Sequence, residues 1–543
     1  MTMRDEAASR ALYDSQRYFI KDLDERKRRY ALYYEALPTD DKVIFYESMS
    51  GVRMMDNPYA IFRAVLEDKR FADYTHVWSV GAYDTVPKRY RGLPNVVIVT
   101  RHTDIYLRYL ASAKHIIGNS TLPEYFVRKP DQKYLNTWHG IAYKRVGRAE
   151  NALLGSAYSV FNMLQATHVL TPCHFMTQLQ LHGLCMSGVP SGELAEVGYP
   201  RIDMTLNLSE ARADEIASEF GIDRTKRTVL YAPTWRSEKF DTDRLAADLK
   251  GLSALDANVI FMGHHMMLKH LKNIDLGNVI VPPASTNTNE LLGVVDILIT
   301  DYSSIFFDFI VTGLPIVHYM YDYDEYYRER GLNLEEDDLP GVIVKSSENL
   351  VEQVRILLQG SFPPEETERY RRAKERFCPH EDGAASRRAV EWFFFGDTSG
   401  VKVIPRSWKR SVVFWGGRLT GGPQVADFLA RLRDYAARPD IVPVLVVARS
   451  VESNPQVMDV IRELGAKVSV IARPGHGMVA SPEEDEAKKD VEHGNSTQPA
   501  AIELHRRSYL REYRRVLGHA AFDESIEFEN NSRFWKELAS CAR

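Results

Sequence analysis

The stretch LITDYSSIFFDFIVTGLPIV, from Leu298 to Val317, contains the pattern that decides the fold. A short apolar run ends at Asp301, two hydroxyl side chains follow at Ser303 and Ser304, and an apolar, helix-like pattern then resumes. This order predicts a buried strand, a turn and the N-terminus of a helix. In an open parallel sheet, ligands bind outside the carboxyl ends of the strands, where a helix N-terminus offers unpaired N–H groups to phosphate.

Two roles fit the polar residues of this turn. Asp301, Ser303 and Ser304 could surround the phosphates of a bound ligand, with the hydroxyls adding donors to the backbone N–H groups. Asp301 or Ser303 could instead only cap the helix, which such residues do routinely.

Short apolar runs alternate with helix-like stretches on both sides of this turn. KVIFYE, NVVIVT and THVLTP precede it, and TVLYAPTWR, NVIFMGHH and LPIVHYMY belong to its own series. Because these runs are apolar on both faces, they predict an α/β fold of doubly wound parallel sheets covered by helices. A chain of 543 residues is too long for one core. We predict an N-terminal helical segment over 1–40, Rossmann-like units over 41–210 and 211–400 that face a cleft, and a partial α/β unit over 401–543.

The last unit has its own features. SVVFWGGRLTGGPQVADFLARL, from Ser411 to Leu432, predicts a strand, a Gly-rich turn and a helix, and it resembles the start of a sugar-nucleotide glycosyltransferase N-domain. The stretch 474–499 is rich in Gly, Ser, Asp, Glu and Lys and predicts a loop or a disordered insert. Because no full sheet follows, we expect no independent activity here, but an interaction role, a truncated unit or simple decoration of the main body.

Composition excludes several classes of protein. The formal charge of -5 argues against a surface built to bind nucleic acid. Four cysteines without paired C-x-x-C spacing predict a reducing compartment and no metal site or other cofactor. The N-terminus lacks the apolar region of a secretory signal, and no run approaches a membrane span. We expect a cytoplasmic protein, with the basic cluster Arg26–Arg29 either meeting a membrane surface or forming a solvated face.

Two stretches place histidines directly after predicted strands. In YLNTWHGIAYKRVGR, His139 and Gly140 occupy a turn close to the cleft, and Lys144 adds positive charge nearby. An imidazole there could accept a proton from an attacking hydroxyl near neutral pH. In VIFMGHHMM, His264 and His265 are adjacent, so their side chains diverge and at most one is expected to face the cleft.

A further stretch, YAPTWR, ends a predicted strand at Thr234 and Arg236. An arginine fork at a strand end suits phosphate oxygens. The alternative is that Arg236 forms a surface salt bridge.

Taken together, NTWHGIAYKRVG, YAPTWR, ITDYSSIFFDFIVTGLPIVHYMYD and EDGAASRR resemble the motif set of the CDP-glycerol glycerophosphotransferases, which make teichoic acids and capsule polymers of bacteria. FYESMSG, DNPYAIFRAVL and GYPRID occur in matching order, and the resemblance covers about residues 42–397. It implies a GT-B fold and transfer of a polyol phosphate from a CDP-polyol to a hydroxyl, with release of CMP.

The resemblance also implies roles for individual residues. His139 would be the general base, with Gly140 and Lys144 near the acceptor or the phosphates. Thr234, Arg236, Asp301, Ser303 and Ser304 would hold the donor. The family's second histidine aligns best with His264, but Met262 replaces the usual basic residue, so the choice between His264 and His265 stays open.

The implied partners are CDP-glycerol or CDP-ribitol and a polyol-phosphate or lipid-linked oligosaccharide acceptor, with the enzyme peripheral on the inner face of the cell membrane. Two other functions fit the residues. One is a GT-B glycosyltransferase that uses a nucleotide sugar, because the fold alone does not fix the donor. The other is an inactive module that binds the acceptor.

Overall fold

The computed structural model describes residues 3–542 except for 17, 148–153, 155–156, 185, 190–191, 235, 237–240, 264–266, 268–275, 284, 361–363, 406, 408 and 421. The described residues form three β-sheets whose strands are parallel with one exception, each covered by helices. The α/β class predicted from the sequence is confirmed.

The first sheet has eight strands in the order β13-β7-β6-β5-β4-β1-β2-β3. Their bounds are β1 Asp40–Glu47, β2 Thr75–Ser79, β3 Val96–Val99, β4 Ala113–Gly118, β5 Lys133–Asn136, β6 His168–Thr171, β7 Glu193–Glu196 and β13 Lys402–Ile404. Strand β13 pairs antiparallel with β7, so residues that the sequence assigned to the last unit form an edge of this sheet. The strand order reverses between β1 and β4, which makes this the switch point of the first sheet.

The second sheet is fully parallel, in the order β12-β11-β10-β8-β9. Its strands are β8 Thr228–Ala232, β9 Asn258–Phe261, β10 Ile297–Thr300, β11 Ile316–Tyr319 and β12 Val342–Val344. Strands β8 and β10 are buried along their whole length, as their uninterrupted apolar runs predict. The order reverses between β8 and β10, so a ligand site is expected where these two strands end.

The third sheet has four parallel strands in the order β16-β15-β14-β17. They are β14 Arg410–Gly417, β15 Ile441–Ala448, β16 Ser469–Arg473 and β17 Glu524–Glu527.

The α-helices that the structure describes precede, separate and cover these strands. They are α1 Met3–Ser15, α2 Leu23–Ala36, α3 Asp56–Glu67, α4 Asp104–Ser112, α5 Ala157–Gln165, α6 His174–Gln178, α7 Asp203–Leu206, α8 Glu210–Phe220, α9 Thr242–Ser253, α10 Thr288–Leu292, α11 Ile305–Phe309, α12 Tyr323–Arg330, α13 Ser347–Leu358, α14 Pro364–Phe377, α15 Ala385–Val390, α16 Gly422–Ala436, α17 Pro455–Leu464, α18 Pro482–His493, α19 Pro499–Leu517 and α20 Arg533–Ser540. Among the described residues, none of these helices is long and apolar enough to cross a membrane.

The prediction of a loop or disordered insert over 474–499 is wrong, because helix α18 occupies its centre. Ser481 caps this helix by accepting from the Glu484 N–H at 3.3 Å. The buried Glu484 then pairs with Arg511 of α19, whose guanidinium also contacts Glu35 of α2. A charged stretch therefore becomes ordered through partners that lie elsewhere in the chain.

The EDGAASRR motif has a structural role where the chain returns to the first sheet. The half-buried Glu381 accepts from the Tyr199 N–H at 2.8 Å, and Asp203 caps helix α15 by accepting from the N–H groups of Ala385 and Ser386. Arg388 donates to the Val197 carbonyl at 3.0 Å. These bonds attach EDGAASRR to the GYPRID segment and so fix how the two large units meet.

Candidate functional site

His139 lies at the carboxyl edge of the first sheet, beside its switch point. Its Nδ1 is 2.9 Å from the carbonyl oxygen of Asn119, the residue after β4. Because a carbonyl can only accept, Nδ1 carries the proton, and the lone pair of the neutral ring is on Nε2. The Asn119 side chain in turn accepts from the Met49 N–H at 2.9 Å, at the end of β1. Both strands of the switch point thus hold the histidine in one orientation.

The surroundings of His139 favour its neutral form. Its ring stacks on Trp138 at 4.5 Å between centroids, and Trp138 adopts a left-handed backbone with φ of 51°. The imidazole reaches solvent, but the protein around it replaces much of the bulk water. This desolvation lowers the pKa of His139 below its ordinary value, and the hydrogen bond to Asn119 offsets part of the effect. A neutral imidazole can accept a proton.

Asp301 organises the switch point of the second sheet. Its buried carboxylate accepts from the Thr234 N–H at 2.9 Å and from Nη1 of Arg236 at 2.8 Å. The segments that follow β8 and β10 are therefore joined by one acidic side chain. Asp301 thus supports the turn from inside, rather than presenting an anion to the cleft.

Arg236 is held by two carboxylates. Besides Asp301, it contacts Asp322 through Nε and through Nη2, the latter at 3.0 Å. The guanidinium is only 12% exposed and lies between the rings of Tyr302 and Tyr321, each 5.2 Å from its carbon. The alternative of an ion pair is thus observed, but in a buried setting. A direct contact of Arg236 with donor phosphate stays a prediction.

The two serines of the opening motif differ in their contacts. Ser303 accepts from the Ile305 N–H at 3.4 Å, so it caps the start of helix α11. Ser304 makes no such side-chain cap and instead lies against the histidine turn of the other unit. A Cβ on Gly140 would be 3.2 Å from its Oγ. The motif of the second unit therefore touches the WHG turn of the first, and a side chain at position 140 would force its neighbours to give way by a few tenths of an ångström.

A cavity of about 770 Å³ opens at the carboxyl ends of β8 and β11, and neither Gly140 nor Ser304 is among the residues that line it. Lys144, Thr234 and Arg236 are among its lining residues. The backbone of Lys144 pairs with that of Leu332. A loop of the first unit therefore contributes to the lining of a cavity in the second unit. Burial lowers the pKa of the Lys144 ammonium, and no carboxylate pairs with it among the described residues.

The remaining predicted residues are His264 and His265, which lie outside the described residues. Met262 is described and packs on the core, with its sulfur 4.0 Å from Oγ1 of Thr288. The part of the chain that the structure describes holds no group of three His, Cys, Asp or Glu side chains that could bind a metal ion.

Arg201, for which the sequence predicted no role, joins the histidine turn to the second unit. It belongs to the GYPRID segment, and its guanidinium contacts Asp56 and Asp308 and donates to the His139 carbonyl. An arginine directly after Gly-Tyr-Pro, in a short segment whose other charged residue is Asp203, was the available signal.

The family model for CDP-glycerol:poly(glycerophosphate) glycerophosphotransferases matches residues 30–394. The chain belongs to this family. The match confirms the resemblance drawn from the motifs, and it ends before the third sheet begins.

Relatives of this glycerophosphotransferase come from species of Bacillus and Staphylococcus. It is 29% identical over 380 residues to the teichoic acid poly(glycerol phosphate) polymerase of Bacillus spizizenii, an alignment that covers 65% of this chain and 92% of that one. It is 28% identical over 381 residues to the teichoic acid glycerol-phosphate transferase of Staphylococcus aureus, with the same two coverages. A solved structure of the wall teichoic acid polymerase TagF matches 71% of this chain and 96% of its own, with a TM-score of 0.59 and 23% identity. That likeness confirms the GT-B architecture.

Proposed function

We propose that this glycerophosphotransferase moves glycerol phosphate from CDP-glycerol to a hydroxyl of a poly(glycerol phosphate) chain or its lipid-linked primer. The observation that carries the proposal is the contact between the WHG turn and Ser304, across the two switch points. A base and a phosphate-binding helix start come from different units and meet at one place. Transfer to a hydroxyl needs these two elements side by side.

The reaction balances with the groups at this contact. The acceptor oxygen attacks the phosphorus that carries glycerol, and its proton passes to Nε2 of His139. The bond from that phosphorus to the oxygen bridging the two phosphates breaks, and CMP leaves with the bonding electrons. Ser304, the N–H groups at the start of α11 and Lys144 would stabilise the negative charge on the phosphate oxygens.

Glycerol as the transferred polyol is supported by the relatives. The two glycerol-phosphate enzymes are matched over 92% of their length. One of these relatives is named a polymerase and the other a transferase. Analysis of the product length would show how many glycerol-phosphate units this enzyme adds. CDP-ribitol is the alternative donor, and its polyol is longer by two CHOH units.

A lipid-linked acceptor would require the enzyme to contact the membrane surface. The predicted basic cluster is used within the protein, since Lys27 pairs with Glu124 at 2.7 Å, and Arg28 and Arg29 pair with Glu25. Apolar side chains of the same region are exposed instead, including Tyr18 at 76% and Phe19 at 44%. Aromatic rings of this kind suit the interface of a bilayer. We therefore assign the membrane contact to these rings.

Vesicle sedimentation tests this contact. The double variant Tyr18→Ser and Phe19→Ser should lose binding to phosphatidylglycerol vesicles. Ile502→Ser, which alters a residue of α19 about as exposed as Phe19, should keep it. Equal binding by both variants would place the membrane contact elsewhere.

The central experiment follows CMP release from CDP-glycerol, CDP-ribitol and a UDP-sugar, each with a glycerol-phosphate-primed acceptor. Acceptor-dependent release from CDP-glycerol that is lost in His139→Ala supports the proposal. CMP release from CDP-ribitol alone would show that the transferred group is ribitol phosphate rather than glycerol phosphate. Consumption of the UDP-sugar alone, or of no donor at all, would overturn the assignment in favour of a glycosyltransferase or an inactive module.

A further inference from the structure

Arg201 occupies the point where the two large units meet. Its side chain is buried, both Nη atoms donate hydrogen bonds, and Nε lies within ion-pair distance of a carboxylate. Nη1 donates to Asp56 at 3.0 Å and to the His139 carbonyl at 2.8 Å, while Nη2 and Nε each lie 2.8 Å from Asp308. One planar cation therefore bridges the histidine turn and a carboxylate of helix α11.

The contacts of Arg201 continue through the neighbouring Asn57. The Asn57 amide donates to the carbonyls of Thr137 and Trp138 at 3.4 and 3.3 Å, and its oxygen accepts from the Arg201 N–H at 3.1 Å. With the bond from Arg201 to His139, three consecutive carbonyls of the turn accept from this pair. The turn is thus held along its whole length.

Two residues of this arrangement have strained backbones. Asp56 has φ of 65° and Trp138 has φ of 51°, which side-chain-bearing residues adopt at a cost of about 1–3 kcal/mol each. Such strain persists only where the surroundings impose it, and here the surroundings are Arg201 and Asn57. The network therefore forces the WHG turn into a conformation that it would not choose alone.

On the donor side, Asp308 lies four positions after Ser304, on the same helix. The Asn289 amide fixes its second oxygen at 3.1 Å. A Cβ on Gly140 would be 3.3 Å from Nη2 of Arg201 and 3.2 Å from Oγ of Ser304, so the three groups are in close contact. Moving helix α11 away from the histidine turn requires breaking the pair between Arg201 and Asp308.

We propose that Arg201 is a positioning residue that sets the distance between His139 and Ser304 by binding the histidine turn and helix α11 at once. The inference rests on the proposed function, because it assigns Arg201 to the same reaction. Arg201 does not touch the reacting atoms. It holds the base of one unit against the phosphate-binding helix of the other.

Charge gives this role a measurable signature. The charged side chains that act on the His139 ring are Asp56, which raises its pKa, and Arg201, which lowers it. Removing the guanidinium leaves the Asp56 carboxylate acting on the ring without the opposing cation. The imidazole then holds its proton to higher pH, so the acidic limb of the rate profile should move upward.

The test compares Arg201→Lys, Arg201→Gln and Asp308→Asn in the full chain. Lysine keeps the charge but cannot bridge both carboxylates and the carbonyl, so we expect kcat to fall by about 10–100-fold, the range for a misplacement of up to 1 Å. The KM for CDP-glycerol should change less than kcat. Arg201→Gln should also move the acidic limb to higher pH, and added guanidinium ion should restore part of its activity.

The matched control is Arg511→Lys, since Arg511 is equally buried and also joins two carboxylates, those of Glu35 and Glu484. This variant should lose stability without any change of pH profile. A folded Arg201→Lys with wild-type kcat and an unmoved limb in Arg201→Gln would overturn the proposal. If Arg201→Gln does not fold, the kcat values of Arg201→Lys and Asp308→Asn test the proposal, and wild-type kcat in both would overturn it.

Hydrogen exchange separates this proposal from the function on which it rests. In Arg201→Lys, protection should fall together in segments 137–141 and 303–309, because one side chain holds both. Loss confined to one segment would refute the coupling even if CDP-glycerol proves to be the donor. Absence of CMP release by the wild type would instead refute the proposed function and leave the exchange result as the test of Arg201.

Discussion

Substitution of Gly140 by alanine tests the contact between the two units directly. Gly140 has φ of 148°, a conformation that residues with a side chain rarely adopt, so backbone strain alone should cost about 1–3 kcal/mol. The new Cβ would also be 3.2 Å from Oγ of Ser304 and 3.3 Å from Nη2 of Arg201, closer than ordinary contact. The Ser304 and Arg201 side chains must then give way by a few tenths of an ångström, and we expect this to shift the His139 turn relative to helix α11.

This shift should lower kcat by about 10-fold, since a misplacement of 1 Å can cost about 10²-fold. The assay is CMP release at saturating CDP-glycerol and acceptor, with thermal melting measured alongside. Gly221→Ala is the matched control, because Gly221 also has a left-handed backbone, with φ of 70°, but no atom lies within 4 Å of its Cβ position. It should lose stability and keep its kcat.

Removal of the facing hydroxyl completes the design. Ser304→Ala measures the contribution of the hydroxyl alone, and the double variant Gly140→Ala and Ser304→Ala relieves the close contact with Oγ. The loss in the double variant should therefore be smaller than the product of the two single losses. A Gly140→Ala enzyme as active as Gly221→Ala would show that the two motifs do not meet during turnover.

Other predictions concern single groups of the site. His139→Ala should lower kcat by about 10²–10⁴-fold with an unchanged calorimetric Kd for CDP-glycerol; equal loss of binding would contradict a role as base. His139 must be neutral to act as a base, and its pKa is lowered, so kcat/KM should begin to fall only when the pH drops below the ordinary histidine pKa of about 6.5. A decrease of kcat/KM that already begins above pH 7 would contradict this assignment. Arg236→Ala leaves the carboxylates of Asp301 and Asp322 without their cation, so urea unfolding should show a loss of about 3–5 kcal/mol, and an unaltered curve would contradict the buried pair. Lys144→Ala should raise the KM for CDP-glycerol about 10-fold, as expected for loss of a charged hydrogen bond, while an unchanged KM would remove Lys144 from the donor site.

Within short stretches, the sequence alone determined much of this protein. The run from Leu298 to Val317 predicted a strand, a turn and a helix, and the structure has β10, the turn and α11 in that order. Apolar runs without alternation predicted parallel sheets covered on both faces, and the motif set predicted the family. These features depend on periodicity and turn chemistry within about 20 residues, so no knowledge of distant contacts is needed.

The tertiary structure alone decided which groups face one another. Arg236 meets Asp322 across 86 positions, and Arg201 meets His139 across 62 and Asp308 across 107. The sequence around Arg236 is equally compatible with an arginine that contacts the donor phosphates, as we predicted. The sequence around Arg201 indicates no role for that residue. In the charged stretch 474–499, the bond between Glu484 and Arg511 likewise changed a predicted loop into a helix. The physical reason is that a buried charged side chain needs an oppositely charged group next to it. Which group lies there depends on how segments that are distant in the sequence pack together.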